Sequence, residues 1–210
     1  GGWYTDKSMN WMQKAIDVVR QKYPEMPLGF SFDGNQYPKF LEIELSFLDY
    51  LEPHIWMVQE NSGEYYKKVG YGYQLFDSAG YENLVQNGKR VYQENPEYWQ
   101  GLLKKKIKNV GETARKIDQP LMITECWGIV DYKDWPLLEW EWVKELCALG
   151  TTESLKYEQW VAVATSNFCG PQFTGMWRDV DWHLELTEKI KSNPINPGLL
   201  DNLLIKRMVG

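Results

Sequence analysis

Hydrophobic and polar positions along the chain follow two periods in turn, one typical of helices and one typical of short buried strands. Apolar residues at helical spacing predict helices over residues 10–22, 38–50, 97–117, 135–149 and 180–191. Apolar runs closed by turn-forming residues predict strands at 28–32, 54–58, 120–124 and 161–168. We expect Pro53 to separate the second helix from the second strand and Gly150 to end the fourth helix.

Two segments depart from this pattern. Residues 59–95 are rich in Gly, Tyr and Asn, and they form a stretch too long for a plain connection between elements. Such an excursion in a compact domain is typical of a functional loop, so we interpret 59–95 as a long active-site loop. Residues 193–210 follow the last predicted helix and are expected to form a tail.

The alternation of strands with helices predicts an α/β fold with a parallel sheet, built as a single unit over residues 1–210. Four strands fit either a small open sheet or half of an eight-stranded (β/α)8 barrel of the TIM-barrel type. In both architectures, functional side chains lie at the carboxyl ends of the strands.

Composition and charge exclude several classes of partner. The net charge is −6, which argues against nucleic acid, and the lysine run at 104–108 is typical of a solvated helix face. No apolar run approaches the roughly 18 residues that span a bilayer, so we expect no membrane partner. The three cysteines are widely spaced and odd in number, which favours a reducing interior such as the cytoplasm.

The sequence shows no sign of a bound metal or cofactor. The two histidines and the scattered carboxylates have no ligand spacing, so we predict neither. A nucleotide-binding open sheet is the less favoured alternative, because no glycine-rich phosphate loop follows a predicted strand.

Candidate chemistry lies at three strand ends. Glu125 follows the third strand, where a rigidly held carboxylate can attack a sugar C1, although a lone Glu also fits a solvated turn. His54 and Trp56 share a face of the second strand by alternation, and a core histidine fits equally well there. With 11 Trp and 13 Tyr the chain offers many rings for stacking on sugars, or for filling its core. The further substrate-binding candidates are Trp127, Asn167, Phe168 and Trp177.

The succession of strand ends Asp33-Gly34, His54-Ile55-Trp56, Ile-Thr-Glu125-Cys-Trp-Gly and Ser-Asn167-Phe-Cys-Gly-Pro resembles strands five to eight of a cellulase-like (β/α)8 barrel of glycoside hydrolase clan A, near family 5. The resemblance covers residues 10–192 and implies that Glu125 is the nucleophile of a retaining hydrolase of β-linked glycosides. It also implies that His54 or Trp56 lies beside the nucleophile and that Phe168 or Trp177 supports the sugar at the reacting position.

One departure from the family pattern affects the expected activity. The acid/base of such enzymes lies in an Asn-Glu pair after strand four, and no such strand precedes residue 10 here. The resemblance therefore implies that the partner of this chain is a missing N-terminal half-barrel, and that the fragment alone is inactive. The alternative is a non-catalytic carbohydrate-binding protein on a degenerate glycosidase scaffold.

Overall fold

The computed structural model describes residues 4–72, 77–129, 138–166, 179–194, 196–202 and 205–206. The α-helices in these residues are α1 (Asp6–Lys22), α2 (Glu60–Val69), α3 (Ser78–Glu94), α4 (Pro96–Lys116), α5 (Glu141–Ser154) and α6 (Val180–Ser192). The strands are β1 (Gly29–Asp33), β2 (Tyr50–Trp56), β3 (Leu121–Ile123), β4 (Cys126–Trp127) and β5 (Trp160–Val163).

The strands form one parallel sheet in the order β1-β2-β3-β5, and β4 extends the sheet by pairing with β2. The register places Asp33 opposite His54 and Ile55 opposite Cys126. All of these pairings are parallel; helices lie between β2 and β3 and between β4 and β5, whereas a 3₁₀ helix follows β1 and only two residues separate β3 from β4. The predicted α/β class with a parallel sheet is confirmed.

The strongly periodic helices form where the sequence predicts them. Helix α1 begins with a capping box in which Thr5 and Ser8 exchange hydrogen bonds, which satisfies amides that the first turn leaves unpaired. Helix α4 begins at Pro96, a residue whose fixed backbone angle suits the first turn, and it buries Trp99, Leu103 and Ile107. Within the described residues, no helix is both long enough and apolar enough to cross a bilayer.

The helix predicted over 38–50 is wrong. The chain forms a 3₁₀ helix at Gly34–Leu41, then bends and turns, and β2 already begins at Tyr50. Leu45 and Leu48 are buried in this irregular stretch, so their spacing reflects packing against the core rather than a helical turn. Pro53 was expected to lie before the second strand, but it lies within β2, opposite Phe32 of β1.

The interpretation of 59–95 as one long loop is also wrong, because α2 and α3 occupy most of it. Tyr65, Tyr66 and Tyr92 are buried, so these tyrosines serve the core. The backbone of Asn61–Gly63, inside α2, is left-handed, with φ between 49° and 75°. Asn and Gly tolerate that conformation better than other residues, which explains a composition that resembles a loop.

Gly150 does not end a helix, because α5 continues to Ser154. A Cβ atom at this position would lie 2.4 Å from Cδ2 of Trp127, so Gly150 lets α5 approach the indole ring closely. The start of the predicted 135–149 helix and the end of the predicted 161–168 strand lie outside the described residues.

The two faces of the sheet differ in chemistry. The face toward α4 and α5 carries fully buried apolar side chains from β2 and β3, among them Leu51, Ile55 and Leu121. Alternation along the strands turns Ser31, Asp33, Glu52 and His54 to the opposite face, where Ser31 and Asp33 are exposed. The polar face is therefore the side of the sheet on which functional side chains can contact a ligand.

Candidate active site

Glu125 lies between β3 and β4 at the carboxyl end of the sheet. Its carbonyl oxygen accepts a hydrogen bond of 3.2 Å from the amide of Ile55, so β2 holds its backbone in place. The carboxylate itself is 35% exposed, which leaves it accessible. Glu125 is thus a carboxylate on a fixed backbone with its side chain open to a ligand.

His54 lies next to Glu125 and connects it to a second carboxylate. Nδ1 of His54 is 3.2 Å from Oε2 of Glu125, and Nε2 is 3.0 Å from Oε2 of Glu52. Each contact is an ion pair when the imidazole is protonated.

Glu52 is the functional candidate that sequence reasoning missed. Its side chain is only 8% exposed, and Oε1 accepts hydrogen bonds from the amide of Thr124 at 3.0 Å and from its hydroxyl at 2.8 Å. Burial alone would raise the pKa of this carboxyl, but its contacts with His54, Ser31 and Thr124 outweigh burial and lower the pKa to about 2. The predicted strand began at residue 54 and so excluded Glu52, which lies two residues before His54 on the same face of β2.

The carboxylates determine the charge of His54. The contact with Glu52 raises the pKa of the imidazole above its usual 6.5; burial opposes this rise, and the charges of Glu52, Glu125 and Asp33 add to it. Because a carboxylate oxygen faces each ring nitrogen, protonation of both nitrogens suits the geometry. The geometry therefore suits one imidazolium held between the side chains of Glu52 and Glu125.

The family model for sugar-binding cellulase-like proteins matches residues 1–191. The chain belongs to the cellulase-like family. Among solved structures, it is similar to a "putative glycoside hydrolase" from Parabacteroides distasonis ATCC 8503, with 53% identity and a TM-score of 0.92.

That similarity covers 99% of this cellulase-like chain and 56% of the Parabacteroides protein, so the chain spans little more than half the length of that relative. No curated protein matches the chain. Because family membership covers most of the chain, the predicted resemblance to cellulase-like proteins is confirmed at that level.

Two of the predicted sugar-binding residues lie in the core of this cellulase-like sheet. Trp56 and Trp127 are both buried, and they occupy paired positions on β2 and β4. The indole N–H of Trp127 donates to the carbonyl oxygen of Ala164 at 3.0 Å, and its ring packs against Gly150. The prediction that they stack on sugar is not supported, because neither ring is presented to solvent.

The remaining predictions for the cellulase-like site concern residues that the structure does not describe. Asn167, Phe168 and Trp177, assigned to substrate binding, lie outside the described residues. Within the described part of the chain, no cluster of three or more His, Cys, Asp or Glu side chains is arranged to hold a metal ion. Cys126 and Cys147 are buried, and the predicted reducing compartment stays a prediction.

Proposed function

We propose that the full-length protein is a retaining glycoside hydrolase that acts on a β-linked glycoside, with Glu125 as its nucleophile. The observation that carries this proposal is the position of Glu125 at the carboxyl end of a parallel sheet, where the His54 imidazole contacts it at 3.2 Å. Membership of the sugar-binding cellulase-like family and similarity to a glycoside hydrolase structure support the substrate class.

The proposal includes a barrel architecture in which this chain supplies strands five to eight of a TIM-type fold near family 5 of clan A. Parallel sheets usually have helices on both faces unless they close into a barrel. Here one face packs on α4 and α5, whereas the other carries exposed polar side chains such as Ser31 and Asp33. That asymmetry supports a sheet that curves around a polar interior, with a further half-barrel as its partner.

The proposed reaction is a double displacement. Glu125 attacks the anomeric carbon as the leaving oxygen takes a proton from an acid/base carboxyl, and a water activated by the same group then releases the sugar. Such carboxyl groups stand about 5 to 5.5 Å apart in retaining enzymes. Glu52 does not fit the acid/base role, because it is buried and already bonded to Thr124 and His54. We therefore assign that role to a residue beyond this chain, and we expect the 210-residue chain alone to be inactive.

The test uses the full-length protein and a panel of 2,4-dinitrophenyl 2-deoxy-2-fluoro-β-glycosides, which trap the glycosyl-enzyme. We expect one sugar per protein by intact mass and the added mass on Glu125 by peptide mapping. The Glu125→Gln variant should lose labelling and at least about 1,000-fold of any hydrolysis, because it lacks the nucleophile. Glu112→Gln, on the exposed part of α4, is the matched control and should label normally.

A second candidate is a carbohydrate-binding protein without hydrolysis. The family description, which names sugar binding, favours it as the alternative. In that case Glu125 would only accept hydrogen bonds from sugar hydroxyls. Sugar binding by calorimetry, with no fluorosugar adduct on Glu125 across the panel, would favour this alternative and contradict the hydrolase proposal.

A further inference from the structure

Glu52 is a buried carboxylate that the proposed reaction does not use. A carboxylate removed from water is costly unless charges and hydrogen-bond donors satisfy it. Its Oε1 is bound by the amide and hydroxyl of Thr124, and its Oε2 faces Nε2 of His54 at 3.0 Å. Burial of a charge at this position costs free energy, and an apolar side chain of similar size could fill the same space without that cost.

Two of the residues that contact Glu52, Thr124 and His54, also adjoin Glu125. Thr124 precedes Glu125 in the chain, so the two bonds from Thr124 to Oε1 hold the backbone at the start of the Glu125 residue. The His54 ring reaches Glu125 through its other nitrogen, at 3.2 Å from Oε2. The Glu52 side chain therefore holds both Thr124, which precedes Glu125 in the chain, and His54, which contacts the Glu125 carboxylate.

We propose that Glu52 is a positioning residue, which holds the His54 imidazole protonated on both nitrogens and aimed at the carboxylate of Glu125. This inference rests on the proposed function, because it names how the proposed nucleophile is oriented. Without Glu52, a neutral imidazole could carry its single proton on either nitrogen and could turn away from Glu125.

The charges around His54 come from three neighbouring strands and the turns that follow them. Glu52 lies on the same strand, Asp33 lies opposite His54 on β1, and Glu125 follows β3. Only Glu52 is deeply buried, whereas Asp33 is exposed and Glu125 is 35% exposed. Because water screens exposed charges, removal of the buried Glu52 charge should change the pKa of His54 more than removal of Asp33 or Glu125.

The test is the titration of His54 in the full-length protein labelled with ¹⁵N-histidine. Its ring signal is assigned by its loss in a His54→Gln variant, and His183 serves as an internal reference in every spectrum. In the wild type we expect the His54 midpoint above 6.5, and in Glu52→Gln we expect it to fall toward 6.5. Fluorosugar labelling of Glu125 should slow by about 10- to 100-fold, the loss typical when a group that orients a reactive side chain is removed.

Two further variants separate positioning from folding. Glu60→Gln is the matched control, because Glu60 is also mostly buried and pairs with Lys106 at 3.1 Å without contacting His54. It should leave both readouts unchanged. Should Glu52→Gln fail to fold, Glu52→Asp keeps the charge but is one methylene too short to reach both Thr124 and His54, so it should lower the midpoint and slow labelling.

The outcomes distinguish this inference from the proposed function. An unchanged His54 midpoint in the folded Glu52 variants would overturn the positioning role, as would a lowered midpoint with wild-type labelling. Absence of any label on wild-type Glu125 would contradict the hydrolase proposal instead, and the His54 titration would still decide whether Glu52 controls that ring.

Discussion

The sheet has two opposite faces: one is apolar and packs under helices, and the other carries a row of charged side chains. Toward α4 and α5, Leu51, Ile55 and Leu121 are removed from water and contribute stability through apolar burial. On the other face, Glu52, His54 and Glu125 form a charged row in which each group depends on its neighbour. Period-two alternation lets a single stretch such as β2 supply both.

Substitutions on the two faces should therefore change different measurable properties of the protein. Loss of an apolar side chain on the helix-covered face should reduce the free energy of unfolding and leave the His54 titration alone. A change in the charged row should alter the pH dependence of stability, the His54 titration and the labelling of Glu125. Four predictions test this division, from the largest expected effect to the smallest.

Leu103→Ala should have the largest effect on stability. Leu103 is fully buried on α4, so its truncation leaves a cavity and should cost about 2 to 5 kcal/mol of unfolding free energy in urea. The matched surface control is Lys189→Ala, which removes an exposed pair with Glu185 and should change stability by less than about 0.5 kcal/mol. A shift of the His54 midpoint in folded Leu103→Ala would contradict the division between faces.

The pH dependence of stability should reveal Glu52. Its folded pKa of about 2 lies below the ordinary 4.5, so its stabilising contribution is present above pH 4.5 and is lost as the pH falls toward 2. The full loss corresponds to about 3 kcal/mol in unfolding free energy, and Glu52→Gln should lack this acid-dependent part. Equal acid sensitivity of the wild type and Glu52→Gln in urea unfolding would refute the assignment.

His54 adds a dependence of opposite sign. Its folded pKa is raised above 6.5, so its contribution is present below pH 6.5 and is lost as the pH rises through the folded value. Together the two groups predict greatest stability of this row between about pH 4.5 and 6.5. In a His54→Gln variant, the unfolding free energy should still fall in part as the pH drops below 4.5, but it should no longer fall as the pH rises above 6.5.

Gly150→Ala should have a smaller effect than Leu103→Ala, about 1 to 3 kcal/mol of destabilisation, because the added Cβ would overlap the Trp127 ring at 2.4 Å. Gly101→Ala is the matched control, since Gly101 lies in α4 with no heavy atom within 4 Å of an added Cβ. Alanine there should stabilise α4 by about 0.5 to 1 kcal/mol in thermal or urea unfolding. Destabilisation of equal size in both variants would show that contact with Trp127 is not the cause.

Much of the fold could be predicted because its periods are strong. Helices α1 and α4 and the strands around Phe32 and Ile123 carry long or clearly bounded apolar patterns. The helices inside 59–95 could not be recognised, since the left-handed turn at Asn61–Gly63 requires residues that are typical of loops. Burial of their tyrosines depends on tertiary contacts that local composition does not encode.

The candidate site could be predicted in part. Strand ends of a parallel sheet meet at one edge, which is why Glu125 and His54 could be expected together, and they are in contact. Glu52 could not be singled out by composition, because an acidic residue in mid-strand usually points to solvent. The burial of Trp56 and Trp127 was missed for the converse reason: a tryptophan near a strand end serves a core as readily as a sugar.

Pro53 gives β2 a further property. Leu51 and Ile55 donate their amides toward the β3 side, and Pro53 midway between them has no amide hydrogen to donate, while the Thr124 amide bonds to the Glu52 side chain instead. A slip of β2 by one residue would turn Glu52 and His54 into the apolar layer under α4. Pro53 lacks an amide donor in either register, so the charged pair supplies the penalty, and the residues of the site also help the sheet to select its native alignment.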